Sequence, residues 1–189
     1  IAEYIGLWGE LFTLSEIILP HHTPLNSMRF WVGPEGKKQD FTLNNIAIEV
    51  KTSLSSEARK ITISSLEQLD VITDELYLLH VIANPSDSKS GYSLKDLYEK
   101  SLSIINQDQS SEIIFIQKVF DLYGQASEKQ LNIKNTLITQ TLYEVTDSFP
   151  CLRHKDIPSA IAGIRYDLLV SAIREHESKN SIEEVVKNG

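Results

Sequence analysis

The chain has 189 residues, 41% hydrophobic and 23% charged, with a net charge of −8. That length holds one substantial domain with a real core, and the negative balance argues against general affinity for nucleic acid through excess positive charge. No apolar run reaches the roughly eighteen residues that a transmembrane helix needs, and no signal-peptide pattern is present. Cys151 is alone. It leaves no internal disulfide framework, reads as a small buried hydrophobe, and is expected of a protein in a reducing cytoplasm. The chain opens at Ile1 in mid-helix and without Met, so it is expected to be the C-terminal part of a longer protein.

Taken in order, residues 3–19 predict a helix, because Tyr4, Trp8, Leu11, Phe12 and Ile18 recur at helical spacing and Pro20 stops the run. Residues 21–26 read as a loop carrying the pair His21-His22, too close together to share one ion. Met28 to Val32 predicts a strand and Gly33-Pro34-Glu35-Gly36 a turn.

Residues 38–53 predict a β-hairpin. Asn44-Asn45 tolerates the left-handed backbone that a two-residue turn demands. With that pair at the turn, Leu43 faces Ile46, Phe41 faces Ile48 and Asp40 faces Glu49. Alternation then puts Phe41, Leu43, Ile46, Ile48 and Val50 on one apolar face. The other face carries Asp40, Thr42, Ala47, Glu49, Lys51 and Ser53.

Further on, Ile61 to Ile63 predicts a short strand, followed by a brief helix through Glu67, Gln68 and Leu69 capped by Ser64 or Ser65. Leu76 to Ala83 is a near-continuous apolar run, as in a strand buried on both faces; His80 within it reads as a hydrogen-bonded core residue. Residues 87–91 read as a polar loop. Helices follow at 93–106 and 111–123, with apolar stripes Leu94, Leu97, Leu102, Ile105 and Ile113, Ile116, Phe120. Leu142 to Thr146 and Ile164 to Val170 predict strands, and Ser171 to Gly189 a polar helical segment. The order predicts one α/β or α+β domain over residues 1–189, a central mixed β-sheet flanked by helices with additional C-terminal helices and strands. Trp8 and Trp31 read as core.

The chemistry lies in the hairpin. A carboxylate, any residue and a lysine recur about once by chance in a chain of this size. Such triplets here include Glu49-Val50-Lys51, Asp87-Ser88-Lys89 and Glu177-Ser178-Lys179. Only the first sits on a strand with an apolar underside and an acid in hairpin register. Directly opposed acids lie roughly 5 Å apart and repel. A bound cation gives them a reason to be there, since Mg²⁺ is usually held by one or two carboxylates with water and phosphate oxygens. Asp40, Glu49 and the Val50 carbonyl are the expected metal ligands. Lys51, about 6.6 Å along the same face, is expected to orient or help deprotonate a water, or to stabilise charge on a phosphate. A solvated salt-bridging face is the plainer alternative. Residues 29–60 carry a local balance of +2 within the total of −8, so the hairpin region is the least acidic part of the chain.

Gly6-Leu7-Trp8-Gly9-Glu10-Leu11, Gln39-Asp40-Phe41, Ile48-Glu49-Val50-Lys51-Thr52 and Ile63 to Leu69 follow in an order that resembles the bacterial PD-(D/E)XK-motif proteins. That group is similar to the restriction-endonuclease-like nucleases. Phe149-Pro150-Cys151-Leu152 and Gly163-Ile164-Arg165-Tyr166 match its later pattern, and the likeness covers about residues 4–170. It implies a restriction-endonuclease-like core and a nuclease using Mg²⁺, with Mn²⁺ as a substitute. It also implies DNA as substrate and further subunits of a restriction or phage-defence system; a homodimer is a further expectation. Asp40, Glu49 and Lys51 match the signature positions, Glu10 the acid that such nucleases supply from the first helix, and Gln68 a polar residue after the sheet. Ile72 stands where one branch has Tyr, and no Pro precedes Asp40. A catalytically silent module for DNA binding or complex assembly remains the rival reading.

Overall fold

The computed structural model describes residues 2–70, 73–86, 90–123 and 127–189. The Asp87-Ser88-Lys89 triplet and most of the loop expected at 87–91 therefore lie outside the described residues, as does Ile72. Helix α1 spans Ala2–Thr13 and continues as a π-helical turn through Leu14–Ile18. The continuation keeps Leu14, Ile17 and Ile18 buried.

Met28 to Val32 is not a strand. Helix α2 covers Pro24–Phe30, with Thr23 as its cap and Pro24 in the first turn. A proline is preorganised for that place, and a Thr oxygen accepts a free N–H there. These start signals outweigh the extended look of Met-Arg-Phe-Trp-Val. Only Trp31 keeps strand character, as a single bridge to Phe41.

The hairpin has the predicted register. Strand β1 (Phe41–Leu43) pairs antiparallel with β2 (Ile46–Leu54) through Phe41↔Ile48, Thr42↔Ala47 and Leu43↔Ile46. Asn44 carries the left-handed turn at φ +47°. The ladder is shorter than predicted. It ends at Phe41, and Asp40 lies one residue beyond it, because the Asp40 carbonyl turns away to accept the N–H groups of Val32 and Gly33, each at 2.9 Å.

Strand β3 is Lys60–Ile63, and a single 3₁₀ turn at Leu66–Leu69 replaces the brief helix. Strand β4 (Glu75–Pro85) is buried from Leu76 through Val81 and pairs parallel with β2. Helix α3 (Leu94–Ile105) starts at a Ser93–Asp96 capping box, and α4 follows at Gln109–Tyr123. The stripe expected to bury α4 faces outward: Ile113, Ile116 and Phe120 are exposed, while Ser111, Phe115 and Lys118 are buried. A buried lysine on the inner face hid the true orientation from any reading of apolar spacing.

After a short helix α5 (Glu128–Leu131), strand β5 runs from Asn135 to Glu144 and pairs antiparallel with β4. It begins seven residues before the predicted start, since its first half, Asn135 to Thr141, is largely polar and only partly buried. Strand β6 (Tyr166–Leu169) pairs antiparallel with β3. The tail holds two 3₁₀ turns and helix α6 (Ile182–Asn188), not one continuous helix.

The result is a mixed four-stranded sheet in the order β1-β2-β4-β5, flanked by helices, with a two-stranded β3-β6 sheet beside it. The apolar hairpin face packs in a core with α1, α2, α3 and α4. On the opposite face Ala47, Leu76, Leu78 and Tyr143 meet Ile61, Ile63, Leu69, Phe149 and Leu168 in a second core. Cys151 packs half-buried against that second core, and burial raises its thiol pKa, as expected of a small apolar filler.

Candidate active-site cleft

Strand β1 covers only the first part of β2. From Val50 onward the free edge of β2 opens into a cleft of about 670 Å³. Glu10, Asp40, Glu49, Val50, Lys51 and Gln68 all line this cleft. Every residue expected to be catalytic or a metal ligand therefore lines one cleft, from four separate segments.

Each is positioned by identifiable contacts. Asp40 Oδ2 accepts the Val50 N–H at 2.7 Å, so the side chain supplies the rung that the shortened ladder lacks. Glu49 lies on the strand face opposite Val50, is 1% exposed, and its Oε1 meets Lys51 Nζ at 2.8 Å. Glu10 comes from α1, where Gly9 lets the helix lie directly on β2. A Cβ at Gly9 would stand 1.7 Å from Thr52 Oγ1. Trp31 Nε1 donates to Glu10 Oε2 at 3.3 Å. A Cβ at Gly33 would lie 2.9 Å from Glu10 Oε2 and 3.0 Å from Asp40 Oδ1, so this glycine makes room for both carboxylates. Gln68 Oε1 accepts the Ser64 N–H at 2.8 Å, which holds its side chain in the turn.

The electrostatics are those of crowded acids. Burial, and next the charge of Asp40, push the Glu10 and Glu49 carboxyls well above their ordinary range. Burial raises Asp40 to about 6, although the Val50 N–H and Lys51 pull it down. Lys51 is the ammonium that offsets all three.

The donor set is one of hard carboxylate oxygens, the kind that suits Mg²⁺ or Mn²⁺. Among the described residues no three His, Cys, Asp or Glu side chains are grouped closely enough to hold a metal ion by themselves. Glu49 is turned onto Lys51, and Asp40 onto the Val50 N–H. The oxygens fit a cation held partly by water and phosphate, and do not form an all-protein cage.

Sequence reasoning missed three supports. Gln39, 2% exposed, donates through Nε2 to the carbonyls of Glu67 at 2.9 Å and Asp70 at 3.2 Å, tying the Gln68 turn to the residue before Asp40. Lys118 donates to the carbonyls of Met28 and Trp31 and pairs with Glu35 at 2.9 Å, bracing the segment that carries Trp31 and Gly33. Arg59, Lys60 and Arg165 line the cleft from the β3-β6 side, where Lys60 also pairs with Asp167 at 2.6 Å. The positive local balance of residues 29–60 includes Arg59 and Lys60, but nothing local brings Arg165 to them, because β3 and β6 pair across about a hundred residues. His80 is a hydrogen-bonded core residue as read, with Nε2 at 3.0 Å from Ser53 Oγ. His22 Nε2 meets the Val186 carbonyl at 2.8 Å, away from the cleft. Trp8 and Trp31 are fully buried. No described helix is long and apolar enough to cross a membrane.

A family model described as "Putative PD-(D/E)XK family member, (DUF4420)" matches residues 2–171. No curated protein and no solved structure matches the chain.

Proposed function

The chain belongs to this PD-(D/E)XK family, and from that premise we propose that it is a divalent-metal-dependent endonuclease hydrolysing DNA phosphodiester bonds. The observation that carries the reading is the convergence of Glu10, Asp40 and Glu49, each with a raised pKa, around Lys51 at the free edge of β2. Crowded carboxylates destabilise the protein unless a positive partner offsets them.

Asp40, Glu49 and the Val50 carbonyl would hold the cation, with Glu10 beside them. In an antiparallel ladder a residue's N–H and C=O point to the same side. The Val50 carbonyl therefore shares the edge at which Asp40 takes the Val50 N–H. When bound, Mg²⁺ or Mn²⁺ supplies charge neutralisation at the phosphate and lowers the pKa of a water.

The chain's own residues do the rest. Asp40 is ionised above about pH 6 and then offers its free oxygen to the cleft. Glu49 anchors the Lys51 ammonium. Lys51 would hold the attacking water or stabilise charge on the phosphate. Gln68 lines the opposite wall and orients solvent. Arg59, Lys60 and Arg165 line the cleft and neutralise backbone phosphates, a sequence-independent contribution. With a net charge of −8, the chain repels DNA at long range. A partner that delivers DNA fits that charge, and we place the protein in a restriction or phage-defence system, in the cytoplasm, with other subunits.

One observation favours a second reading, a silent DNA-binding or assembly module. Asp40 and Glu49 are each already satisfied by protein partners, Val50 N–H and Lys51. Incubation of plasmid with Mg²⁺ or Mn²⁺ separates the two. Nicking by the wild type that is lost in Asp40→Ala and Lys51→Ala supports the nuclease. DNA binding that survives both substitutions, with no cleavage by any form, supports the module.

A further inference from the structure

His80 is 1% exposed and has no part in the chemistry above. In the parallel β2–β4 register it stands beside Lys51, on the same sheet face. Its Nε2 lies 3.0 Å from Oγ of Ser53, the next residue along that face. Ser53 lines the cleft with Glu49 and Lys51. Glu49, Lys51 and Ser53 thus form a row with steps of about 6.6 Å along one strand. That spacing is comparable with the distance between successive phosphates of an extended nucleic-acid strand.

We propose that Ser53, held by the buried imidazole of His80, binds the phosphate next to the one presented to Lys51. With the proton on Nε2, the imidazole donates to Ser53 Oγ and leaves the hydroxyl hydrogen free to donate into the cleft. Burial pushes His80 down to about 4, so it supplies an orienting dipole and no charge at neutral pH. A hydroxyl hydrogen bond to an anionic oxygen is stronger than one between neutral groups. Arg59, Lys60 and Arg165 line the same cleft. Ser53 is the residue that touches the substrate backbone, and His80 is the residue that positions it.

The inference rests on the nucleic-acid reading of the cleft, and the test keeps the two apart. Binding of a fluorescent DNA duplex is measured by anisotropy, beside a duplex carrying a patch of uncharged methylphosphonates. The readout is the ratio of the two dissociation constants. Ser53→Ala is expected to weaken binding of the natural duplex about tenfold and to shrink the ratio by a similar factor. Ser53→Thr, which keeps the hydroxyl, is expected to restore most of both, whereas a purely structural serine would leave the ratio unmoved. An unchanged ratio in a folded Ser53→Ala protein overturns the proposal. Binding without cleavage strikes the catalytic reading alone, and a wild type that binds neither duplex overturns both.

Discussion

Lys51 Nζ and Glu49 Oε1 are 2.8 Å apart on one face of β2, with the glutamate side chain only 2% exposed and the lysine 18%. Removing the lysine strands a buried carboxylate among two other acids. Lys51→Ala is therefore expected to abolish cleavage and to lower the stability of the metal-free protein by about 2 kcal/mol, less than a fully buried pair would cost. Millimolar Mg²⁺ should recover part of that loss, because a cation replaces the missing charge. Thermal melts with and without Mg²⁺ check this. Equal melting temperatures for wild type and variant without metal would contradict it.

Asp40 titrates at about 6 in the fold against an ordinary value near 3.8. Between about pH 4 and 6 the folded state holds the proton more tightly than the unfolded chain, so this group makes stability fall as pH rises. Asp40→Asn keeps an oxygen for the Val50 N–H and removes the charge. It should be more stable than the metal-free wild type at pH 7, by roughly 2–3 kcal/mol, and equal to it near pH 4. His80 works in the opposite sense. Its depressed value of about 4 makes stability rise with pH up to about 6.5. Wild-type stability alone mixes the two slopes. Urea denaturation of wild type and variant at both pH values isolates the Asp40 contribution.

Gly9 sets the distance between α1 and β2. A methyl group there would collide with Thr52 at Oγ1. Gly9→Ala is expected to cost about 3 kcal/mol, the upper end for overpacking, and adding Thr52→Ala should recover much of it. Denaturant midpoints of the single and double variants measure this coupling.

Gly33→Ala acts on the site more than on the fold. The new methyl would press on the far ends of the Glu10 and Asp40 side chains and also sit 3.3 Å from Asp40 Cα. Divalent-ion affinity should fall at least tenfold while the melting temperature changes by a few degrees. Calorimetric titration paired with a thermal melt tests it. Loss of the fold with intact ion affinity in the remaining native fraction would show that Gly33 serves packing alone.

The hairpin was legible because its information is local. Asn44-Asn45 fixed the turn, and strict alternation fixed which residues share a face. The β4 run was legible because burial on both faces leaves a continuous apolar stretch. What escaped depends on distant partners. The departure of Asp40 from the ladder follows from the carbonyl acceptance of Val32 and Gly33, and the α4 orientation from Lys118 reaching the carbonyls of Met28 and Trp31. The first half of β5 is polar because one side of it stays wet, so no hydrophobic period announced it. The approach of Arg165 to Arg59 and Lys60 needed the β3–β6 pairing, which no nearby residues encode.

The proposed chemistry requires Asp40 and Glu49 to hold a divalent ion at the free edge of β2. Titration of Mn²⁺ into the protein at pH 7.5, followed by electron paramagnetic resonance, reads it without requiring DNA or a partner. One ion bound by the wild type, with affinity lost in Asp40→Asn and retained in Gln68→Ala, is the predicted result. No bound ion, or one that Asp40→Asn holds as tightly as the wild type, would contradict the account.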